Sequence, residues 1–106
     1  MIFKNVESKP VQALPGLVRR TLAQSKSMML CEFTFDAHVE VPIHTHPYEQ
    51  VGYIAAGRVE MTIDGKKNEL TKGDSYLAAP NIPHGEYTLE PTIIIDTFCP
   101  PREDYK

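Results

Sequence analysis

An all-β domain, a sandwich or barrel of about nine short strands, is the fold class the sequence predicts. Three observations carry it. Nine prolines and six glycines punctuate 106 residues and leave no long run with helical apolar spacing. Met28 to Phe35 and Arg58 to Ile63 alternate with the period of a half-buried strand. Turn signals recur roughly every 6 to 12 residues. The length suits a single domain, residues 1–106, which would bury roughly two-thirds of its unfolded surface.

The elements follow in order. Met1 to Pro15 is polar with scattered apolar residues and reads as an edge strand or arm. Gly16 to Ser25 alternates loosely and reads as a strand, with a short helix as the competing assignment, and Ser25 to Ser27 turns the chain. In Met28 to Phe35, the residues Met29, Cys31, Phe33 and Phe35 share one face, opposite Leu30, Glu32 and Thr34. Asp36 to Val39 is a polar turn holding His38, which is expected to be exposed and not a ligand. Val39 to His46 is extended again, Val51 to Ala56 is an apolar strand, and Gly57 turns. Val59, Met61 and Ile63 should point inward. Asp64-Gly65 is a hairpin signal, because both residues tolerate positive φ. Lys66 to Leu70 returns as a lysine-bearing edge. Gly73 turns, Ser75 to Ala79 is a strand, and Pro80-Asn81-Ile82-Pro83 makes a corner that presents His84. Gly85 to Leu89 continues the strand, and Glu90-Pro91 turns. Thr92 to Phe98 contains three consecutive isoleucines, so both of its faces should be buried, one in the interior and one in a homodimer interface. The prolines of the tail cannot continue a central strand.

Composition removes several function classes. The net charge is −3 with no basic run, so nucleic acid has no electrostatic footprint here. No apolar run approaches the roughly 20 residues that cross a bilayer. The first residues lack a signal-peptide apolar core, which points to the cytoplasm. Cys31 and Cys99 have no metal spacing and should be free thiols packed as small hydrophobes.

The chemistry concentrates between Pro42 and Gly57. His44 and His46 are two apart, so in an extended strand their imidazoles share a face. Gln50 keeps that parity, subject to the bend expected at Pro47. His84 is the remaining imidazole candidate. Three imidazoles and an amide oxygen on one point would hold a divalent transition metal ion: Ni, Fe, Mn, Zn, Co or Cu. All four donors are neutral, so the ion would keep its full charge and attract a small anionic substrate. Four ligands on an octahedral ion leave two positions for water or substrate.

The pattern resembles the cupin superfamily, whose first motif is His-x-His, an acidic or amide residue four on, and a glycine seven further. His44, His46, Gln50 and Gly57 occupy those places. Gly73, Pro80, Pro83 and His84 match the second motif, with Asn81 where glycine is usual and Thr88 where asparagine is often found. The resemblance implies a double-stranded β-helix, or jelly-roll barrel. The segment from Ile94 to Tyr105 is similar to the C-terminal signature of the pectin-degradation cupins, the KdgF-type family. That resemblance implies a three-histidine, one-glutamine metal site and conversion of 4,5-unsaturated uronates to linear keto acids. It also implies a substrate pocket lined by Asp96, Phe98 and Arg102.

The residues themselves bear on these roles. Asp96 and Phe98 share a face with Ile94, so a carboxyl group points wherever the phenyl ring points. Inside a barrel it would be a general acid–base, or a structural hydrogen-bond acceptor. Arg102 would clamp a substrate carboxylate, or pair with Glu103 or Asp104 at the surface. Tyr48, Tyr53 and Tyr76 are further candidates for lining the pocket. Two other functions compete: an iron or manganese dioxygenase, and a metal-containing sensor domain without turnover.

Overall fold

The computed structural model describes all residues, Met1–Lys106, as two antiparallel sheets enclosing one core. Ten strands form them: β1 (Pro10–Leu14), β2 (Leu17–Gln24), β3 (Met29–Phe35), β4 (Glu40–His44), β5 (Glu49–Ala56), β6 (Arg58–Ile63), β7 (Lys66–Thr71), β8 (Ser75–Ala78), β9 (His84–Thr88) and β10 (Thr92–Cys99). The six-stranded sheet runs β1-β2-β3-β10-β5-β8, and the four-stranded sheet runs β4-β9-β6-β7. No helix is long and apolar enough to cross a membrane. Only single 3₁₀ turns, Asn5–Glu7 and Glu103–Tyr105, interrupt the β structure.

The alternation in the sequence sets which face is buried. Met29, Cys31, Phe33 and Phe35 are all buried, as are Val59 and Met61. Ile54, Ile94 and Phe98, on β5 and β10 of the same sheet as β3, complete the core. Phe98 is 1% exposed and packs edge-on against Phe33 and Tyr105. Cutting it to alanine should cost about 3–5 kcal/mol. Asp64 and Gly65 both take positive φ in the β6–β7 hairpin, and β7 is a sheet edge, as its lysines suggested. The N-terminal segment is both of the alternatives, an exposed arm followed by the edge strand β1.

Within one chain, Thr92, Ile94, Asp96 and Phe98 of β10 are buried, whereas Ile93, Ile95 and Thr97 on its outer face are half-buried; the strand lies between β3 and β5. Two expectations need correction. Cys31 packs in the core, but Cys99 is exposed because it follows Phe98 onto the outer face. His44 and His46 do not share one strand. β4 ends at His44, residues 45–48 cross between the sheets, and β5 begins at Glu49. The two rings meet through that crossing, not through strand parity.

Candidate metal centre

His44 and His84 are direct cross-strand partners on β4 and β9, with ring centroids 4.4 Å apart. His46 reaches the same point from the crossing segment, its centroid 4.7 Å from that of His84. One ligand atom from each ring lies within 4.8 Å of the others. Asn81 holds the crossing segment to the proline corner by donating its N–H to the His46 carbonyl at 2.8 Å. Its φ of 66° shows why a residue tolerant of left-handed backbone stands where glycine is usual. Thr88 has a role of its own. Its hydroxyl donates to the Asp36 carbonyl at 2.7 Å and accepts from the Val39 N–H at 2.9 Å, clamping the turn before β4.

Each imidazole is aimed by main chain. Nδ1 of His44, His46 and His84 donates to the carbonyls of Pro42, Tyr48 and Ile82, at 2.8, 3.1 and 2.8 Å. A carbonyl only accepts, so Nδ1 carries the hydrogen and Nε2 keeps its lone pair. These are the outer contacts that metal-bound histidines characteristically make. Nε2 of His84 is buried and has no hydrogen-bond partner. Nε2 of His46 lies 2.9 Å from Oε1 of Gln50, and two acceptors at that separation repel unless a cation is shared between them. An orphaned lone pair, an acceptor–acceptor contact and three convergent imidazoles fit a divalent transition metal ion. Burial lowers the affinity of His46 and His84 for protons, and neighbouring positive charge lowers it further, so both stay neutral and able to ligate.

Gln50 and Asp96 lie on the six-stranded sheet and are joined through Tyr76. Gln50 Nε2 donates to the Tyr76 hydroxyl at 2.7 Å, and that hydroxyl donates to Asp96 Oδ1 at 2.5 Å. Burial pushes the Asp96 carboxyl up to about 7, against the pull of its hydrogen bonds to Tyr76 and Gln50 and of Arg102. Phe98 packs edge-on to His46 at 6.1 Å. The Arg102 fork grips Asp104, with Nε to Oδ1 at 3.1 Å and Nη2 to Oδ2 at 2.9 Å. Its guanidinium lies 3.9 Å from the Tyr105 ring centroid and 5.2 Å from those of Phe98 and Tyr48. So the ion pair with Asp104 exists, but it holds a guanidinium that still lines the cavity. The cavity is about 160 Å³ and is also bounded by His44, Gln50, His84, Asp96, Phe98 and Tyr105. That is below the roughly 300 Å³ typical of drug-sized sites, so it suits a small ligand.

Two polar lining residues were not singled out from sequence. Glu86, half-buried on β9, shares the cavity with Asp96, and burial with the Asp96 charge pushes its carboxyl up to about 8. It lies two residues past His84, a parity signal that could have found it. Tyr105 also lines the cavity, carried there by the final 3₁₀ turn. Tyr53, by contrast, lies on the outer face of β5, 49% exposed, and is not a pocket residue. His38 is exposed, pairs with the Tyr87 hydroxyl and is not part of the cluster.

Two antiparallel sheets with a histidine triad at their seam define a cupin barrel, and residues 31–98 match the cupin domain model. The chain belongs to the cupin family. More particularly, it is similar to the pectin degradation protein KdgF of Dickeya dadantii (strain 3937), at 38% identity over 93 residues, covering 85% of this chain and 84% of that protein. The structure of KdgF from Halomonas sp. superposes with a TM-score of 0.94 at 31% identity, covering 100% of this chain and 98% of that one. An RmlC-like cupin from Shewanella frigidimarina NCIMB 400 matches with a TM-score of 0.94 and 31% identity, over 99% and 95% of the two chains.

Proposed function

We propose that this cupin is a metal-dependent enzyme of pectin breakdown that converts a 4,5-unsaturated uronate to its linear keto acid. The observation that carries this reading is one small cavity lined by His44 and His84, two of three convergent imidazoles, together with two carboxyl groups, a guanidinium and an aromatic wall. The similarity to KdgF over most of both chains supports the substrate class.

The conversion is an isomerisation. The hydroxyl proton on the hemiacetal carbon leaves, and the bond from that carbon to the ring oxygen breaks. The ring oxygen closes the new ketone, and the alkene carbon takes a proton. No atom is gained or lost. His44, His46, Gln50 and His84 would hold a divalent ion, which would supply Lewis acidity and attraction for the substrate carboxylate. Asp96, buried within the barrel, moves the proton between oxygen and carbon, a role typically worth roughly 10²- to 10⁴-fold. Arg102, anchored by Asp104, turns the remaining edge of its guanidinium to the substrate carboxylate. Phe98 and Tyr105 give the ring an apolar wall and exclude water.

Unsaturated galacturonate incubated with the metal-loaded protein tests this. Loss of the enol-ether ultraviolet absorbance, with the linear keto acid seen by NMR, is the expected result, and Asp96→Asn should reduce the rate by at least about 100-fold. Full turnover in that variant removes Asp96 from the scheme. Oxygen consumption dependent on ferrous iron would select a dioxygenase instead.

The same reading includes a homodimer. Val51, Tyr53 and Leu77 are about half exposed, at 50%, 49% and 55%, and adjoin the half-buried Ile93 and Ile95 on the outer face of the six-stranded sheet. Such a contiguous apolar face is characteristic of an interface. Light scattering at micromolar concentration should give twice the chain mass, and a monomer there refutes the dimer.

A further inference from the structure

We infer that Tyr76 is a positioning residue that fixes which end of the Gln50 amide faces the metal, using Asp96 as its anchor. The inference rests on the metal reading above and adds a residue to it.

The starting point is one row across the six-stranded sheet. Asp96 on β10 is paired with Gly52 on β5, and Gly52 with Tyr76 on β8. Adjacent strands lie about 4.8 Å apart, so residues two strands away do not normally touch through short side chains. Here the middle residue has no side chain. A Cβ on Gly52 would fall 2.1 Å from Cε1 of Tyr76 and 2.3 Å from Oδ1 of Asp96. The tyrosine ring and the carboxylate therefore meet over the glycine, at 2.5 Å between oxygens. Tyr76 is 9% exposed and Asp96 4%, so water does not substitute for either partner.

Proton counting sets the direction. A tyrosine hydroxyl has one hydrogen. Oδ1 of Asp96 accepts it, whether the group is a carboxylate or a neutral acid carrying its own proton on Oδ2, so that hydrogen goes to Asp96. The hydroxyl then has only lone pairs left for Gln50, which must offer its NH₂ group, at 2.7 Å. The amide oxygen is left at the other end, beside Nε2 of His46 and aimed at the histidine cluster. A glutamine amide is nearly symmetric in shape, and reversing it would turn two N–H groups toward a cation. Sequence spacing makes Gln50 a candidate ligand, but only Tyr76 and Asp96 make its oxygen the ligand atom.

Cobalt(II) titration of the full chain, followed by calorimetry and visible absorption, tests this without any substrate. Tyr76→Phe removes the hydroxyl, and Asp96→Val removes the acceptor and frees the hydroxyl to donate to Gln50. Both should weaken cobalt binding by about 10- to 100-fold, the range for partners that orient a ligand. Both should also change the cobalt absorption bands, because an oxygen donor is lost. Asp96→Asn keeps a carbonyl oxygen for the tyrosine to donate to, and should bind cobalt close to wild type while losing turnover. Wild-type affinity and spectrum in Tyr76→Phe overturn the inference, and so does Asp96→Asn falling as far as Asp96→Val. A wild-type chain that takes up no cobalt overturns the metal reading as well. One readout needs no substitution: in the zinc-loaded wild type, the Gln50 side-chain NH₂ should give an NMR pair protected from solvent exchange. A freely exchanging pair refutes the bond to Tyr76.

Discussion

The two sheets aim the side chains of the candidate site by different means. On the side of the four-stranded sheet, His44, His84 and the crossing residue His46 are each held by a carbonyl two residues away in sequence. On the six-stranded sheet, Gln50 is held by Tyr76, and Tyr76 by Asp96, partners 26 and 20 residues away. A tether made of main chain survives any substitution that keeps the local backbone. A tether made of side chains fails when any one of its members changes. The difference separates a robust half of the site from a fragile half, and experiments can probe each.

The largest effect should come from the robust half. His84→Ala removes a donor outright and should weaken metal binding beyond the roughly 100-fold upper end for outer partners, as measured by calorimetry. Gln50→Ala should fall short of it, because three imidazoles remain. If Gln50→Ala matches His84→Ala, the two halves are equally essential and the comparison breaks.

Metal removal is next in size. An ion present at about 100 times its dissociation constant stabilises the folded chain by about 2.7 kcal/mol. For a domain near 100 residues that corresponds to roughly 10–20 °C in Tm. Chelator should lower the wild-type melting temperature by that amount and leave a His84→Ala variant unmoved. An equal drop in both variants would mean the stabilising ion sits elsewhere.

The smallest effect sharpens the contrast between the faces of β10 and its neighbours. Burial pushes the Cys31 thiol up to about 11, so it stays protonated at pH 8 and resists attack, whereas Cys99 is exposed. A thiol reagent at pH 8 should therefore modify one cysteine per folded chain quickly and the second only on unfolding. Fast modification of both would show that the inner face opens to solvent.

Much of the fold was legible because it follows local rules. β3 and β6 declared themselves by alternation, and Asp64-Gly65 by its tolerance of positive φ. The histidines were legible through the motif they share with the cupins, whereas the strand parity expected of His44 and His46 is not how their rings meet. Tyr76 was not. It lines up with Gly52 and Asp96 only through the β8–β5–β10 register, and no local pattern reveals a pairing between strands so far apart in sequence. Three isoleucines in a row say how apolar β10 is, not what covers each side: its outer face is half-buried within one chain. Arg102 was undecided between two roles because the answer depends on Tyr48, Phe98 and Tyr105 gathering beneath it.

The crossing at residues 45–48 has a mechanical consequence. It leaves His44 and His84 on one sheet and Gln50 on the other, so an ion gripping all of them would be a clasp between the two sheets. Loading should then slow amide hydrogen exchange at the rims of both sheets, around Ile43 and Val51, while the deep amides of Ile54 and Met61 exchange as before.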